Sequence, residues 1–460
     1  MLSSQSRAEA ITLPPWAIGG RLGLCLSLWV AVLVLAAASG GATDRILLQA
    51  IGLVAALLAL TIGPARIWER FRDGGWMLLL PAFLGLLQLV PLPRSWLLVL
   101  APLRAELMPP EQGWAALSLY PFATVDNACL WVVYGLAFVF GGLSARSRLV
   151  TVGGSVALVG VALAQAAYGV LGQGLVRITA AQETRFTMAR GTFPTRDQFA
   201  CFLAMIAPLL LASLMLDESG WRRGASRSRP EWFARLTIRA LCLAILILGA
   251  LFSFSRGGLA AMALGFCVVF VAAALRARGS GRRTASLILI VTIAVALAGT
   301  SQIVSQWSSM LRPELLQADA RWPVWRSAWG VVADHPLLGT GLGTFPTAFL
   351  PYARESFGAL VMDAHSELIQ IAIEIGLPAA VALYGTLLLW ILRPARAALR
   401  ARSGASAVAP IGIAGALAAF VLVSLFDFPF HVPANSLVAF TLAGYAQSLA
   451  PALHPRAGGV

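Results

Sequence analysis

The sequence predicts an all-α polytopic membrane protein of about twelve transmembrane helices, with a large polar loop over residues 300–365 between helices 9 and 10. Three observations predict it. Of 460 residues, 59% are hydrophobic and only 12% charged, with a mean hydropathy of +0.80; a soluble domain carries about a quarter charged residues. Apolar runs of the roughly 17–25 residues needed to cross a ~30 Å hydrocarbon core recur along the chain. The charge is also segregated. There is no lysine, so all 34 basic residues are arginine, and about 22 of them fall on alternate connectors, the positive-inside pattern that sets both termini in the cytoplasm. Topology therefore accounts for the net charge of +14, and nucleic acid is excluded as a partner.

The apolar runs lie near 22–39, 46–63, 76–93, 126–143, 149–170, 197–216, 237–254, 257–275, 284–300, 366–392, 407–426 and 433–450. The first is followed by all the others, as in a retained span and not a cleaved signal peptide. After the third, Trp96 to Pro102 is too short to span and predicts an interfacial helix. The connector Asp217 to Arg239 is arginine-rich and suits an anionic leaflet. The connectors at 94–125, 171–196, 300–365 and 427–432 fall on the outer side. The tenth run opens at Asp363-Ala-His365-Ser366-Glu367, where Asp and Ser favour an N-cap and Glu the first turn. It then meets Gly376-Leu-Pro378, where proline should break it into a short helix and a main span. The five cysteines all sit in apolar runs without a CxxC spacing and read as core hydrophobes. No soluble domain or internal repeat interrupts the chain, so residues 1–460 form a single membrane domain.

Several residues are candidates for chemistry. Ser253-Phe-Ser255-Arg256-Gly257-Gly258 joins two spans with almost no loop. An arginine there either clamps phosphate with the exposed glycine amides or snorkels to the interface. Arg321 and Arg326 flank Trp322 and Trp325, either as an anion-binding face or as a solvated face with an aromatic anchor. Of the four histidines, His365 stands between Asp363 and Glu367, either of which could orient its ring. Asp427 and His431 are spaced as a metal pair, but Pro429 breaks the helix that spacing needs, and two ligands make a weak site. Glu374 is a carboxylate within an apolar run, which is either functional or a polar contact. Walker A, HExxH, GxSxG and DxD patterns are missing, so neither a nucleotide nor a metal cofactor is expected.

Taken together, Ser255-Arg256-Gly257-Gly258, Arg321 with Trp325, Pro336-Leu-Leu-Gly339-x-Gly341-x-Gly343-x-Phe345 and His365-Ser366 separated by nine residues from Gly376 resemble the O-antigen ligase and polymerase family of bacterial inner membranes. Ala379 departs from the last position of the family's histidine pattern. Similarity extends to Gly191-Thr-Phe193 with Arg196 and to Asp427-Phe-Pro429, covering residues 190–445 and the large periplasmic loop.

The resemblance implies a metal-independent, inverting glycosyltransferase without cofactors, with its active site on the periplasmic face. The donor would be a glycan on undecaprenyl diphosphate. The acceptor would be lipid A-core for a ligase, or another glycan for an O-antigen or exopolysaccharide polymerase. On that reading His365 is the catalytic base, and Arg256, Arg321, Arg326 and Arg196 bind the diphosphate. Asp363, Glu367, Glu374 and Asp427 support them. A lipid-glycan flippase or secondary transporter is the rival class. Twelve spans and a basic central connector fit it, whereas the missing half-to-half repetition and the long outer loop do not.

Overall fold

The computed structural model describes residues 15–72, 74–174, 188–216, 229–276, 308, 321–354, 358–401 and 404–453. These are 81% helical. The only ladder among them pairs β1 (Pro91–Pro93) with β2 (Trp114–Ala116), antiparallel. The chain is an all-α polytopic membrane protein. Nine helices among the described residues are long and apolar enough to cross a bilayer. The expected ninth span, 284–300, and the expected loop as far as residue 320, residue 308 excepted, lie outside the described residues.

The first two spans are α1 (Pro15–Ala38) and α2 (Arg45–Ile62), followed by the amphipathic α3 (Pro64–Arg72). The third apolar run departs from expectation. A 3₁₀ turn at Gly75–Leu78 leads into α4 (Leu79–Gln88), an apolar stretch of Gly75–Gln88 that is too short to cross. Pro91 and Pro93 lack the N–H groups that would continue the helix, and the chain turns into β1. A short helix forms in the expected place as α5 (Arg94–Leu100), with Leu98 and Val99 exposed, and is followed by α6 (Pro102–Glu106).

Next come α7 (Pro121–Ser144), α8 (Arg148–Ala167), α9 (Arg196–Leu216), α10 (Arg229–Ser253) and α11 (Arg256–Arg276). Two short helices, α12 (Arg321–Asp334) and α13 (Phe345–Phe349), precede the expected break. α14 (Glu367–Ile375) ends at Gly376, whose φ of 90° admits no side chain comfortably, and α15 (Leu377–Arg400) restarts with Pro378 in its first turn. α16 (Gly404–Phe426) and α17 (Pro433–Leu453) close the chain. The twelfth run forms a long helix, and Asn435, Ser436 and Gln447 on it are buried against its neighbours.

Bundle packing depends on glycine where backbones meet. A Cβ on Gly141 of α7 would lie 1.9 Å from the Thr441 carbonyl, and one on Gly444 of α17 would lie 1.8 Å from the Phe138 carbonyl. Small residues permit this approach, as elsewhere in membrane helix pairs. α9 is the most buried of the spans and packs on α10, α11 and α16, so its N-terminal end is held on several sides.

Candidate active site

Two helix starts supply the cationic side of the site. Thr195 caps α9 through its Oγ1 to the Gln198 N–H (3.3 Å), which sets Arg196 and Asp197 in the first turn. Ser255 caps α11 through its Oγ to the Gly258 N–H (3.0 Å), which sets Arg256 at the first helical position. The same Ser255 hydroxyl donates to Asp197 Oδ1, locking the two starts together. Arginine at a helix N-terminus opposes the helix dipole at about 0.3–1 kcal/mol, so local stability does not explain this choice twice over. Together with the positive ends of the dipoles, the arginines make a place for an anion.

These starts open onto a cavity of about 470 Å³. Its polar lining is Arg196, Asp197, Arg256, Arg321, Asp363 and His365. Three guanidiniums against two carboxylates leave one unit of net positive charge. Asp197 Oδ2 lies 3.8 Å from Arg321 Nη2 and 4.0 Å from Arg196 Nε, within ion-pair range but too far for hydrogen bonds. The rest of the wall is apolar and includes Val324, Leu360, Met362 and Phe428.

His365 sits on a braced loop. The Ala364 N–H donates to Gln370 Oε1 (2.9 Å), and the Ala364 carbonyl accepts from Trp325 Nε1 (2.8 Å). With its neighbour held on both sides, His365 adopts φ +50°, a left-handed conformation costly for a side chain and typical of functional sites. Ser366 occupies the N-cap position of α14 without a side-chain cap, and the Glu367 N–H is taken by the Asp427 carbonyl (3.2 Å).

His365 Nδ1 lies 3.5 Å from Asp427 Oδ1, and the ring meets Phe428 edge-on. Asp427 is in turn anchored by Gln198 Nε2 on its Oδ2 (2.8 Å). Asn435 Nδ2 holds Gln198 through its Oε1 (2.9 Å) and its carbonyl (3.1 Å). Burial pushes the Asp427 carboxyl up, and the charge of Asp197 adds to this; His365 and Arg321 only partly offset it. A carboxylate facing Nδ1 favours the tautomer with the proton on Nδ1, leaving Nε2 as the basic atom.

Of the expected site residues, the cavity gathers His365, Arg256, Arg321, Arg196 and Asp363, with Asp427 directly behind the ring. Three lie apart. Arg326 is exposed on α12 and does not line the cavity. Glu367 turns away from His365: its Oε1 accepts from the N–H groups of Phe430 (2.6 Å) and His431 (3.3 Å) and from His431 Nδ1 (3.1 Å). Burial pulls the His431 ring down, but the Glu367 carboxylate outweighs it and the ring is pushed up to about 10. Asp427 and His431 therefore serve different partners and are not a metal pair. Glu374 is buried and accepts the Gly343 N–H on Oε2 (2.8 Å), so it pins the glycine-rich segment. In that segment Gly339 has φ +69°, and a Cβ there would lie 2.4 Å from the Glu374 backbone.

Sequence reasoning missed Asp197, Gln198, Gln370 and His431 as members of these networks. The available signal was a polar side chain in or beside an apolar run, as in Arg196-Asp197-Gln198 and Leu-Ile-Gln370.

The class is now defined: an all-α, multi-pass membrane protein with an arginine-lined cavity and a histidine at its rim. Residues 241–384 match the family model described as O-Antigen ligase, and across them the chain carries an O-antigen ligase family domain. That segment contains Arg256, Arg321 and His365, whereas Arg196 and Asp427 reach the cavity from outside it. No curated protein matches the chain. The family gives a function of the O-antigen ligase and polymerase type: glycosyltransferase-like, with a lipid-linked glycan donor and a glycan acceptor.

Proposed function

We propose that the protein is an O-antigen ligase of the bacterial inner membrane, transferring glycan from undecaprenyl diphosphate to lipid A-core at the periplasmic face. The observation that carries this reading is the cavity of about 470 Å³ in which Arg196, Arg256 and Arg321 share one space with His365. His365 Nε2 takes the proton of the acceptor hydroxyl as that oxygen attacks the anomeric carbon. The bond from that carbon to the diphosphate oxygen breaks, and the electron pair leaves with the diphosphate. The three guanidiniums stabilise that developing charge without reorganising, and so take the part a metal plays in other transferases. The proton ends on His365, opposite Asp427. A single displacement inverts the anomeric centre. Asp427 is the positioning residue. Asp363 lines the cavity wall beside the arginines, the His431–Glu367 pair holds the segment that follows Asp427, and neither Arg326 nor Glu374 acts on the donor.

A polymerase would use the same chemistry with a second lipid-linked glycan as acceptor. Lipopolysaccharide electrophoresis after deletion and complementation separates the two. Loss of all capped lipid A-core while polymer accumulates on its carrier is the result expected for a ligase. Capping by single repeats would make it a polymerase, and unchanged lipopolysaccharide with loss of an exopolysaccharide would overturn the acceptor. His365→Ala should insert normally and transfer nothing; a normal glycan profile from that variant would remove the proposed base.

A further inference from the structure

A second cavity, of about 400 Å³, lies at the opposite end of the α1–α2 hairpin and includes Arg21, Leu22, Cys25, Thr61, Ile62 and Arg66 in its lining. The hairpin's other end reaches toward the reaction cavity: the Gly40 N–H donates to Thr192 Oγ1 (3.2 Å), and the Gly41 carbonyl accepts from the Ala434 N–H (3.0 Å). From Arg21 to Ala38, 38 − 21 = 17 residues at 1.5 Å each span about 26 Å. That is close to the ~30 Å hydrocarbon thickness. On the proposed function, this length would set the second cavity near the membrane face opposite the reaction cavity.

The chemistry of the second one is amphiphilic. Arg21 and Arg66 are both exposed, and among the described residues neither has an acidic partner. The contact between Cys25 Sγ and Thr61 Oγ1 (3.3 Å) ties α1 to α2 within the cavity wall. Beyond it, exposed Leu24, Leu28, Leu57 and Leu60 continue along the two helices. Two guanidiniums at headgroup depth, followed by an aliphatic wall, match a phosphate group carrying acyl chains. We propose that this cavity binds the headgroup phosphate of an anionic phospholipid, with its acyl chains laid along the leucines of α1 and α2. The lipid would anchor the end of the hairpin whose opposite turn contacts Thr192 and Ala434.

The test uses the full chain, purified and stripped of lipid in detergent. Phosphatidylglycerol, phosphatidylcholine and inorganic phosphate are added separately, with binding read by native mass spectrometry and thermal melting. Phosphatidylglycerol should bind and raise the melting temperature, while the other two do neither. Arg21→Gln with Arg66→Gln should weaken phosphatidylglycerol binding about tenfold or more, the scale expected for losing charge-assisted hydrogen bonds. Arg146→Gln with Arg148→Gln serves as the control, because these exposed arginines follow the end of α7 that packs beside α3. It removes the same charge and should leave binding intact. Arg21→Lys with Arg66→Lys should weaken binding less than the glutamine pair does, since lysine keeps the charge but loses the fork. Equal binding by the glutamine variant, equal weakening by the control, or equal binding of phosphatidylcholine would overturn the proposal. Stabilisation by inorganic phosphate alone would make the cavity a free-phosphate site and overturn it as well.

Discussion

Asp427→Asn isolates the part of the site that depends on a single carboxylate. As His365 takes up a proton it becomes a cation 3.5 Å from Asp427 Oδ1. Two unit charges at that distance attract by about 1.2 kcal/mol at the dielectric of water and about 4.7 kcal/mol at an effective dielectric of 20. The His365 side chain is 42% exposed and the Asp427 side chain only 6%, so solvent screens one partner and the useful value is about 2–3 kcal/mol. That corresponds to a loss of roughly 30- to 150-fold in turnover. A second effect acts in the same direction. Asn435 fixes Gln198 so that its Nε2 faces residue 427. The asparagine oxygen must answer that donor, which turns its NH₂ toward His365 Nδ1. The ring would then carry its proton on Nε2, the wrong nitrogen for a base. The assay is transfer from lipid-linked donor in proteoliposomes, with kcat and donor KM measured separately and melting recorded as a folding control. kcat should fall by at least about 30-fold with little change in KM, because the carboxylate acts when charge develops. A kcat within about twofold of the parent, a difference of only ~0.4 kcal/mol, would refute the orienting role.

The pH dependence of transfer follows from the same carboxylate. Because Asp427 is held above the ordinary carboxylate range, protonation removes the anion that fixes His365, and kcat should begin to fall at a higher pH than a free aspartate would give; a rate flat through that range opposes this account. A separate prediction concerns stability. His431 is pushed up to about 10 against an ordinary value of 6.5, so its contribution is complete below about pH 6.5 and is lost as pH rises through about 10. Melting temperature should decline across that window, and His431→Gln should flatten the slope relative to the parent. Glu374→Ala, which orphans the Gly343 N–H, should cost about 1–3 kcal/mol, whereas Glu374→Gln keeps an acceptor and should transfer glycan nearly as well as the parent. Gly444→Ala forces a Cβ to 1.8 Å from the Phe138 carbonyl, so α7 and α17 must separate, lowering melting by the equivalent of about 1–3 kcal/mol or more.

What the sequence revealed, and what it concealed, follows from the range of each interaction. The break in the tenth span was legible because Gly376 and Pro378 act on their own backbone. Arg256 was legible because an arginine between two apolar runs has few tolerable places. The partner of His365 was not, because Asp427 is 62 residues away (427 − 365) and two acids stand within two positions of the histidine. Nearness along the chain misled. Glu367 begins α14, and its side chain follows the helix toward Phe430 and His431 while His365 leaves in a left-handed conformation. The two acid–histidine pairs are therefore crossed, with Asp427 on His365 and Glu367 on His431. Hydropathy counted the run near 76–93 as a span because it sums apolarity without reading where a helix stops, and there prolines stop it.

The division of labour between helices and loop also follows from where rigidity is available. Arg196 and Arg256 begin helices whose starts are joined by Ser255 and Asp197, so on the proposed function the charge that would meet a diphosphate is fixed before any substrate arrives. On the same proposal the histidine would meet an acceptor of a different shape, and it sits on a loop that is nonetheless braced by Trp325, Gln370 and Asp427. Preorganisation favours this arrangement, since charge stabilisation gains most from groups that do not move when the bond breaks. A base needs only to reach its hydroxyl and to present the correct nitrogen. The polar segment before α14 is thus best understood by what it completes: its last residues bring one imidazole to a cationic cradle that α9, α11 and the start of α12 have already built.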